Sequence, residues 1–479
     1  MRKSILWLLI AILAVSLAAC GAPAAPAPAE EAAAEEAGEE APAEETSEDA
    51  PAEDVDADLD IEAGVQAAID GQVAANEICE VDLTGETIYL HQHAGREGPL
   101  AAILGDGFVV ATSDAVSQIN EGGGICGATL EVIFRETQYN VEQEVVAYEE
   151  ARAYDPKPGI ILTYGSGATI ALKDRVVEDG IVNIVSGLNA EAIYNPPNGL
   201  TVTGFPIYSD QFAGFVQWVS ESWADIKPEG AGDDIVVGVI GWASAYGAGA
   251  TTPEALAYIE GLGVTVLPLE EQAISPDADV TGQIQNLMLQ GANVIYAQNL
   301  SFGTAQVIGN IHALGAWDQL VVGGVNWTNN IDVLNILGEN VALADGYYGL
   351  FPHAAWNDID NPGIQQLRAT FAAGGYPESD RSNTYLSTYV SFFSIADTMR
   401  QTVSMFGGLE GFTGENVIAA MAEQESLTPL GVMLPYDVND GNRSGTMMQI
   451  RQATMVDGAI QYLPVSDVLT LPDTKPAVE

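Results

Sequence analysis

From Glu86 onward one syntax recurs: a helical stretch closed by glycine and followed by a short β-branched run. No other feature of this chain restricts its fold as much. Gly180 precedes residues 181–185, Gly263 precedes 264–267, Gly291 precedes 294–296 and Gly315 precedes 320–322. Glycine ends a helix in the left-handed conformation at little cost, and short apolar runs rich in Val and Ile suit strands covered on both faces. Upstream, residues 87–91 read as a first strand. Phe108, Thr112, Ala115 and Ile119 form one helical face stopped by Gly122-Gly123-Gly124, and residues 130–134 read as the next strand. This alternation predicts an α/β fold with doubly wound parallel sheets and right-handed crossovers.

Two such blocks are visible, at residues 86–206 and 212–340, so two lobes with separate cores are expected. The remainder opens with a strand at 346–351, continues as an amphipathic helix at 383–406 and closes with strands at 447–455 and 459–464. Asp457-Gly458 between the last two is a hairpin signal.

The N-terminus follows another grammar. Arg2-Lys3, an apolar run over 5–14 and Leu17-Ala18-Ala19-Cys20 read as a secretory signal, too short for a comfortable membrane span. Cys20 resembles the lipidated cysteine of the bacterial lipobox, which implies cleavage after Ala19 and a lipid anchor to the cell membrane at Cys20, with two or three acyl chains. Residues 20–60 are almost wholly Ala, Pro, Glu and Asp. They lack the apolar surface to fold and read as an acidic tether. The chain carries 67 acidic and 15 basic residues, a net charge of −52. Removing residues 1–60 takes away fifteen carboxylates and two basic residues and leaves −39. A body so acidic repels nucleic acid and anionic lipid, so neither is an expected partner. Cys79 and Cys126 are the remaining cysteines. In an exported chain they are read as a disulfide at one edge of the first sheet, with two buried free thiols as the alternative.

Gly105-Asp106-Gly107 leads a helix ending Ile119-Asn120-Glu121-Gly122-Gly123, with Ile125 and Gly127 after it. Tyr208-Ser209-Asp210-Gln211 and Ala245-Tyr246-Gly247 follow at wide spacing. In order and spacing these resemble the type I periplasmic solute-binding proteins of ABC transporters, in the leucine/isoleucine/valine-binding branch, over nearly all of residues 86–464. The resemblance implies two α/β lobes joined by three crossovers, near Tyr208, Asp345 and Tyr436. Lobe one would comprise 86–208 and 345–436, and lobe two 209–344 and 437–479. A lead-in at 61–85 is either a helix packed on lobe one or more tether.

In open α/β sheets, ligands bind beyond the carboxyl ends of strands, where helix N-termini offer free N–H groups. The turn Tyr164-Gly165-Ser166-Gly167-Ala168-Thr169 opens a helix after a strand at 160–163 and has the composition of a cradle for a carboxylate or amide oxygen. The resemblance places Ser166 and Ala168 at ligand positions, with Gly167 and Thr169 between and beside them. Gly187 and Asn189 are expected to join them from lobe one, and Tyr246, Leu300, Ser301 and Asn326 from lobe two, with Tyr246 packing on the ligand. Amino-acid binders of the family carry an acidic residue near Asn326, and Gly323-Gly324-Val325-Asn326-Trp327 has none. Either Asp210 substitutes, or the ligand is not a zwitterion and belongs with amides, urea or aromatic acids. Trp242, Tyr246 and Trp327 are candidates for an aromatic wall.

His91 and His93 share one face of the first strand near the cleft. They lack an evident third ligand, so no metal is expected. Arg96 stands in the following loop, to pair with a carboxylate or meet an anionic ligand. No nucleophile elbow, Walker loop, His-Glu-x-x-His or zinc-type cysteine cluster occurs. The chain is therefore read as a non-enzymatic, monomeric, extracytoplasmic lipoprotein without cofactors. It would capture a small polar solute (an amino acid, amide or urea-like molecule) by hinge closure and pass it to an ABC permease. A sensory receptor of the same fold, a surface amide hydrolase and a purely structural surface protein are the alternatives.

Overall fold

The computed structural model describes residues 59–377, 380–424 and 427–476. The expected signal segment, Cys20 and all but the last two residues of the tether lie outside them. Helix α1 (Ile61–Ala75) comes first, capped by the Asp60 carboxylate on the Ala63 N–H. It is part of lobe one: Gly64 packs so closely on the later helix Pro362–Gly374 that an added Cβ would stand 2.3 Å from that of Ala369, and Gly122 stands as close to Gln72. Cys79 and Cys126 form a disulfide with Cα atoms 5.5 Å apart, tying the end of this lead-in to the turn before the second strand.

Lobe one is a five-stranded parallel sheet in the order β2-β1-β3-β4-β5. Its strands are β1 (Thr87–Ala94), β2 (Thr129–Glu136), β3 (Ile160–Thr163), β4 (Val182–Val185) and β5 (Thr201–Val202). Between them run α2 (Ala101–Leu104), α3 (Gly107–Glu121), α4 (Val141–Arg152), α5 (Ser166–Asp179) and α6 (Ala190–Tyr194). Asn140 starts α4 by accepting from the Glu142 and Gln143 N–H groups, and Gly180 ends α5 at φ +64°, the left-handed stop expected there.

Lobe two follows with α7 (Tyr208–Ile226), α8 (Ala245–Ala248), α9 (Pro253–Gly261), α10 (Thr281–Leu289), α11 (Ser301–Ala313) and α12 (Ile331–Leu337). Its strands are β6 (Val236–Trp242), β7 (Thr265–Val266), β8 (Glu270–Gln272), β9 (Val294–Gln298), β10 (Val321–Gly324), β11 (Tyr348–Phe351), β12 (Met447–Val456) and β13 (Ala459–Thr470). The order is β13-β12-β11-β10-β9-β6-β7, with β8 also on β6. Pairing is parallel as far as β11 and antiparallel for the β12–β13 hairpin, whose turn residues Asp457 and Gly458 both have positive φ. Helix α7 lies on this sheet with Phe215 over Gly323, where a Cβ would come within 2.6 Å of the ring.

The chain then returns to lobe one as α13 (Pro362–Gly374), α14 (Asn383–Met405) and α15 (Gly414–Ala422), with α14 along both α3 and α15. The passage expected near Asp345 is displaced. Strand β11 pairs with β10 and β12 and belongs to lobe two, so the chain crosses after Phe351. An apolar strand reads alike whichever sheet it joins; only its register, Gly323 opposite Tyr348 and Gly324 opposite Gly349, decides. The first and third passages run side by side, with the Thr203 N–H on the Arg443 carbonyl and the Gly445 N–H on that of Phe205.

Candidate functional site

A cavity of about 530 Å³ lies between the lobes, beyond the carboxyl ends of β2 and β3 on one side and against α8 on the other. On the lobe-one wall, β3 ends at Thr163 and α5 begins at Ser166. Gly165 between them has φ +99°, and a Cβ there would stand 2.7 Å from the Tyr139 ring. Gly167 and Ala168 line the cavity with little more than backbone. Ser166 and Thr169 are buried behind them: the Thr169 hydroxyl donates to the Gly165 carbonyl at 2.9 Å, and the Ser166 hydroxyl has no hydrogen-bond partner. Gly187 gives Thr169 room, since a Cβ would reach its hydroxyl at 2.6 Å, and is packing rather than lining.

The lobe-two wall is built on aromatic stacking. Ser244 caps α8, and Tyr246 follows with its hydroxyl donating to the Asn299 carbonyl at 2.6 Å. The Tyr246 ring meets Tyr208 at 5.0 Å and Trp242 at 5.9 Å, and Trp242 stacks on Phe302 at 4.9 Å. Trp242, expected on the wall, lies fully buried beneath Tyr246. Trp327 lines a smaller neighbouring cavity with Leu300, Ser301 and Asp332, and donates to the Tyr208 hydroxyl at 3.3 Å.

Hydrogen bonds join the lobes at the cleft, among them that of the Tyr208 hydroxyl to the Ser186 carbonyl at 3.3 Å. The Asn189 side-chain amide donates to the Ala245 carbonyl at 2.8 Å, so Asn189 closes the cleft instead of lining it. Across the other end, the Asn383 N–H at the start of α14 donates to the Asp332 carboxylate at 3.4 Å. Burial pushes the Asp332 carboxyl up to about 7, opposed by that N–H.

Asp210 does not substitute for the missing acid. It sits in the buried first turn of α7, and one carboxylate oxygen accepts the Thr474 N–H and hydroxyl, both at 2.7 Å. Burial raises its carboxyl to about 7 in spite of these bonds. Asn326 is buried as well: its N–H donates to Gln211 at 3.0 Å, while neither polar side-chain atom has a partner.

The expected site thus divides. Gly167, Ala168 and Tyr246 meet at the main cavity, and Leu300 and Ser301 at its neighbour. Ser166, Thr169, Gly187, Asn189, Asp210 and Asn326 serve from behind or elsewhere. The sequence reading missed Tyr139, Glu144 and Asp332. Glu144 had a signal: Glu144, Ala147, Tyr148 and Ala151 form the buried stripe of α4, and a carboxylate on such a stripe needs a reason. Asp332 had none, because an acid in the first turn of a helix is commonplace.

His91 and His93 both face the α4 side of β1. His91 packs on Tyr154 at 5.0 Å and burial lowers its imidazole to about 4, while His93 Nδ1 lies 2.7 Å from Glu144 Oε1. Arg96 pairs with Asp106. Among the described residues no group of three or more His, Cys, Asp or Glu is placed to hold a metal, and no helix is long and apolar enough to cross a membrane.

No curated protein sequence matches the chain. Its fold is shared with a branched-chain amino acid ABC transporter protein from Thermus thermophilus solved with valine, at 20% identity and TM-score 0.69, over 81% of this chain and 97% of that one. A fatty acid ABC transporter substrate-binding protein from Thermomonospora curvata matches at 20% identity and TM-score 0.66, over 82% and 95% of the two chains. A solute-binding protein from Rhodopseudomonas palustris in complex with 3,4-dihydroxybenzoic acid matches at 15% and 0.63, over 81% and 98%. The periplasmic binding protein family model covers residues 94–458. With most of its length matched and two lobes closing on a cavity, the chain belongs to the periplasmic binding protein family, the type I solute-binding proteins of ABC transporters.

Proposed function

We propose that this protein captures a small carboxylate-bearing solute between its lobes and delivers it to an ABC permease. It would act as a non-enzymatic, monomeric, extracytoplasmic lipoprotein held to the membrane through Cys20. The observation that carries this reading is the 530 Å³ interlobe cavity with a helix N-terminus on one wall and Tyr246 on the other. That volume falls within the usual range for small-molecule pockets. The start of α5 offers unpaired N–H groups and the positive end of a helix dipole, which suits a carboxylate or carbonyl oxygen. Tyr139, Tyr164 and Tyr246 offer ring faces to the rest of the solute. Such a ligand touches both lobes only when they are closed, so it draws the open–closed equilibrium toward the form with Asn189 on Ala245 and Asp332 on Asn383.

A thermal-shift screen of the purified protein, stripped of ligand by unfolding and refolding, tests this. The panel holds aliphatic and aromatic amino acids, their amides, urea and aromatic acids. Ligand at a hundred times its dissociation constant should stabilise the protein by about 2.7 kcal/mol. Saturable binding with the ligand recovered intact is the expected result. A flat screen, or turnover of the bound compound, overturns it.

A further inference from the structure

Glu144 is a buried ionisable group that the solute-binding reading leaves without a task. Its side chain is 1% exposed, Oε1 lies 2.7 Å from His93 Nδ1, and Oε2 has no hydrogen-bond partner. His93 Nε2 is likewise without a partner and borders a separate cavity of about 80 Å³ inside lobe one. A buried ion pair kept for structure normally closes its remaining lone pairs with further donors, because an open carboxylate oxygen away from water is costly. This oxygen belongs instead to a residue lining the same 530 Å³ cavity as Gly167, Ala168 and Tyr246.

The loop leading into α4 carries a second, independent mark. Gln138 and Tyr139 are consecutive non-glycine residues at φ +52° and +56°. One such residue is uncommon and two in succession are costly unless the surroundings hold them. They are held: the Gln138 N–H donates to Glu136 at 2.7 Å, and Gln143 donates to the Gln138 side chain at 3.1 Å. The conformation lays the Tyr139 ring over Gly165, at the rim of the cavity that Glu144 borders.

A helix start that attracts anions and a carboxylate that needs donors thus share one cavity. We propose that Glu144 binds the ammonium group of a zwitterionic ligand, an amino acid or short amino-bearing acid whose carboxylate rests at the start of α5. This rests on the reading of the cavity as the solute site and names the class of solute. The acid absent beside Asn326 on lobe two is provided from lobe one. His93 is a positioning residue: with its proton on Nδ1 it fixes Oε1, leaving Oε2 to complete its pairing with the ligand.

The test uses matched pairs differing only in the amino group, L-leucine with 4-methylpentanoate and L-phenylalanine with 3-phenylpropionate, titrated calorimetrically into wild type and Glu144→Gln. In wild type the amino-bearing member should bind at least about tenfold more tightly, the scale of one charge-assisted hydrogen bond. Glu144→Gln should erase that preference, with its ligand-free melting temperature at or above that of wild type. The amide keeps an acceptor for His93 and removes a buried charge. Equal affinity for both members in wild type, or a preference that survives in Glu144→Gln, overturns the inference. So does a loss of preference in Asp332→Asn but not in Glu144→Gln. A melting temperature lowered by several degrees with the preference intact marks the His93–Glu144 pair as structural and also overturns it. Binding of the deaminated members alone leaves the solute-binding reading standing and refutes only the role of Glu144. Silence from every member refutes both.

Discussion

At the crossovers, Arg443 is 3% exposed and donates to the carbonyls of Gly199, Asn442 and Asn198, and to that of Asn439. Beside it the Tyr194 hydroxyl meets Ser444 at 2.7 Å, Gln211 donates to the Pro206 carbonyl at 2.7 Å, and Asp210 accepts twice from Thr474. The cleft buries polar groups as deeply but leaves Glu144 Oε2 on its wall, and the Ser166 hydroxyl and the Asn326 side chain behind it, without partners. Closure of this kind suits a group buried for the fold, because leaving it open subtracts from stability in every state, and the Ser209 hydroxyl beside Asp210 is the exception at the crossover, buried without a partner. A group buried for a ligand stays open until the ligand arrives. Changes at the crossovers should therefore unfold the protein, whereas changes in the cleft should spare or stabilise it while weakening binding.

The largest effect is expected at the crossover. Arg443→Met strands several buried carbonyls and should cost about 4 kcal/mol in urea unfolding. A loss as small as that of a surface substitution would break the contrast. Thr474→Val removes a hydroxyl from the Asp210 carboxylate and should cost about 2 kcal/mol. It should also raise the Asp210 carboxyl further, which carbon-detected NMR titration would read.

Asp332→Asn sharpens the contrast through pH. The folded-state carboxyl stands near 7, above the ordinary 3.8, so between those values the folded chain binds more protons than the unfolded one. Stability tied to Asp332 is present at low pH and lost as pH rises through 7. The asparagine variant should gain on wild type from pH 4 to 7, at most about 1.4 kcal/mol per pH unit. Burial lowers His91 and His353 to about 4, which acts in the opposite sense and makes stability rise with pH up to about 6.5. The wild-type profile should thus be flatter than that of the variant. Melting curves across the series check the sign, and a variant that loses on wild type as pH rises refutes it. Ser166→Ala is the smallest change, within about 0.5 kcal/mol of wild-type stability, with roughly tenfold weaker ligand binding by calorimetry. A stability loss of crossover size would place Ser166 among the structural groups.

The division between what could be read and what could not follows the range of the interactions involved. Gly180, Gly263 and Gly315 mark helix ends, and Asp457-Gly458 marks the hairpin, because each is decided within a few residues by backbone sterics. Gly167, Ala168 and Tyr246 were legible for a related reason: the βα order puts the turns after β3 and β6 at the ligand-binding edge of an open sheet. The membership of β11 was not, since its Val-poor apolar run fits either sheet. Asp210 looked available as an anion until the Thr474 segment, more than two hundred residues later in the chain, closed over it. Glu144 was visible on the stripe of α4, but periodicity alone does not say whether a polar residue there faces solvent, core or cavity.

By itself, then, the sequence determined the alternation of elements, the doubly wound class, the two lobes and the turns where a solute could rest. All of these are set by local conformational preference and hydrophobic period. Only the tertiary structure decided which buried polar groups were satisfied. Hydrogen-bond partners come from segments remote in sequence, and a carboxylate such as Asp210, Asp332 or Glu144 becomes structural or functional according to what packs against it.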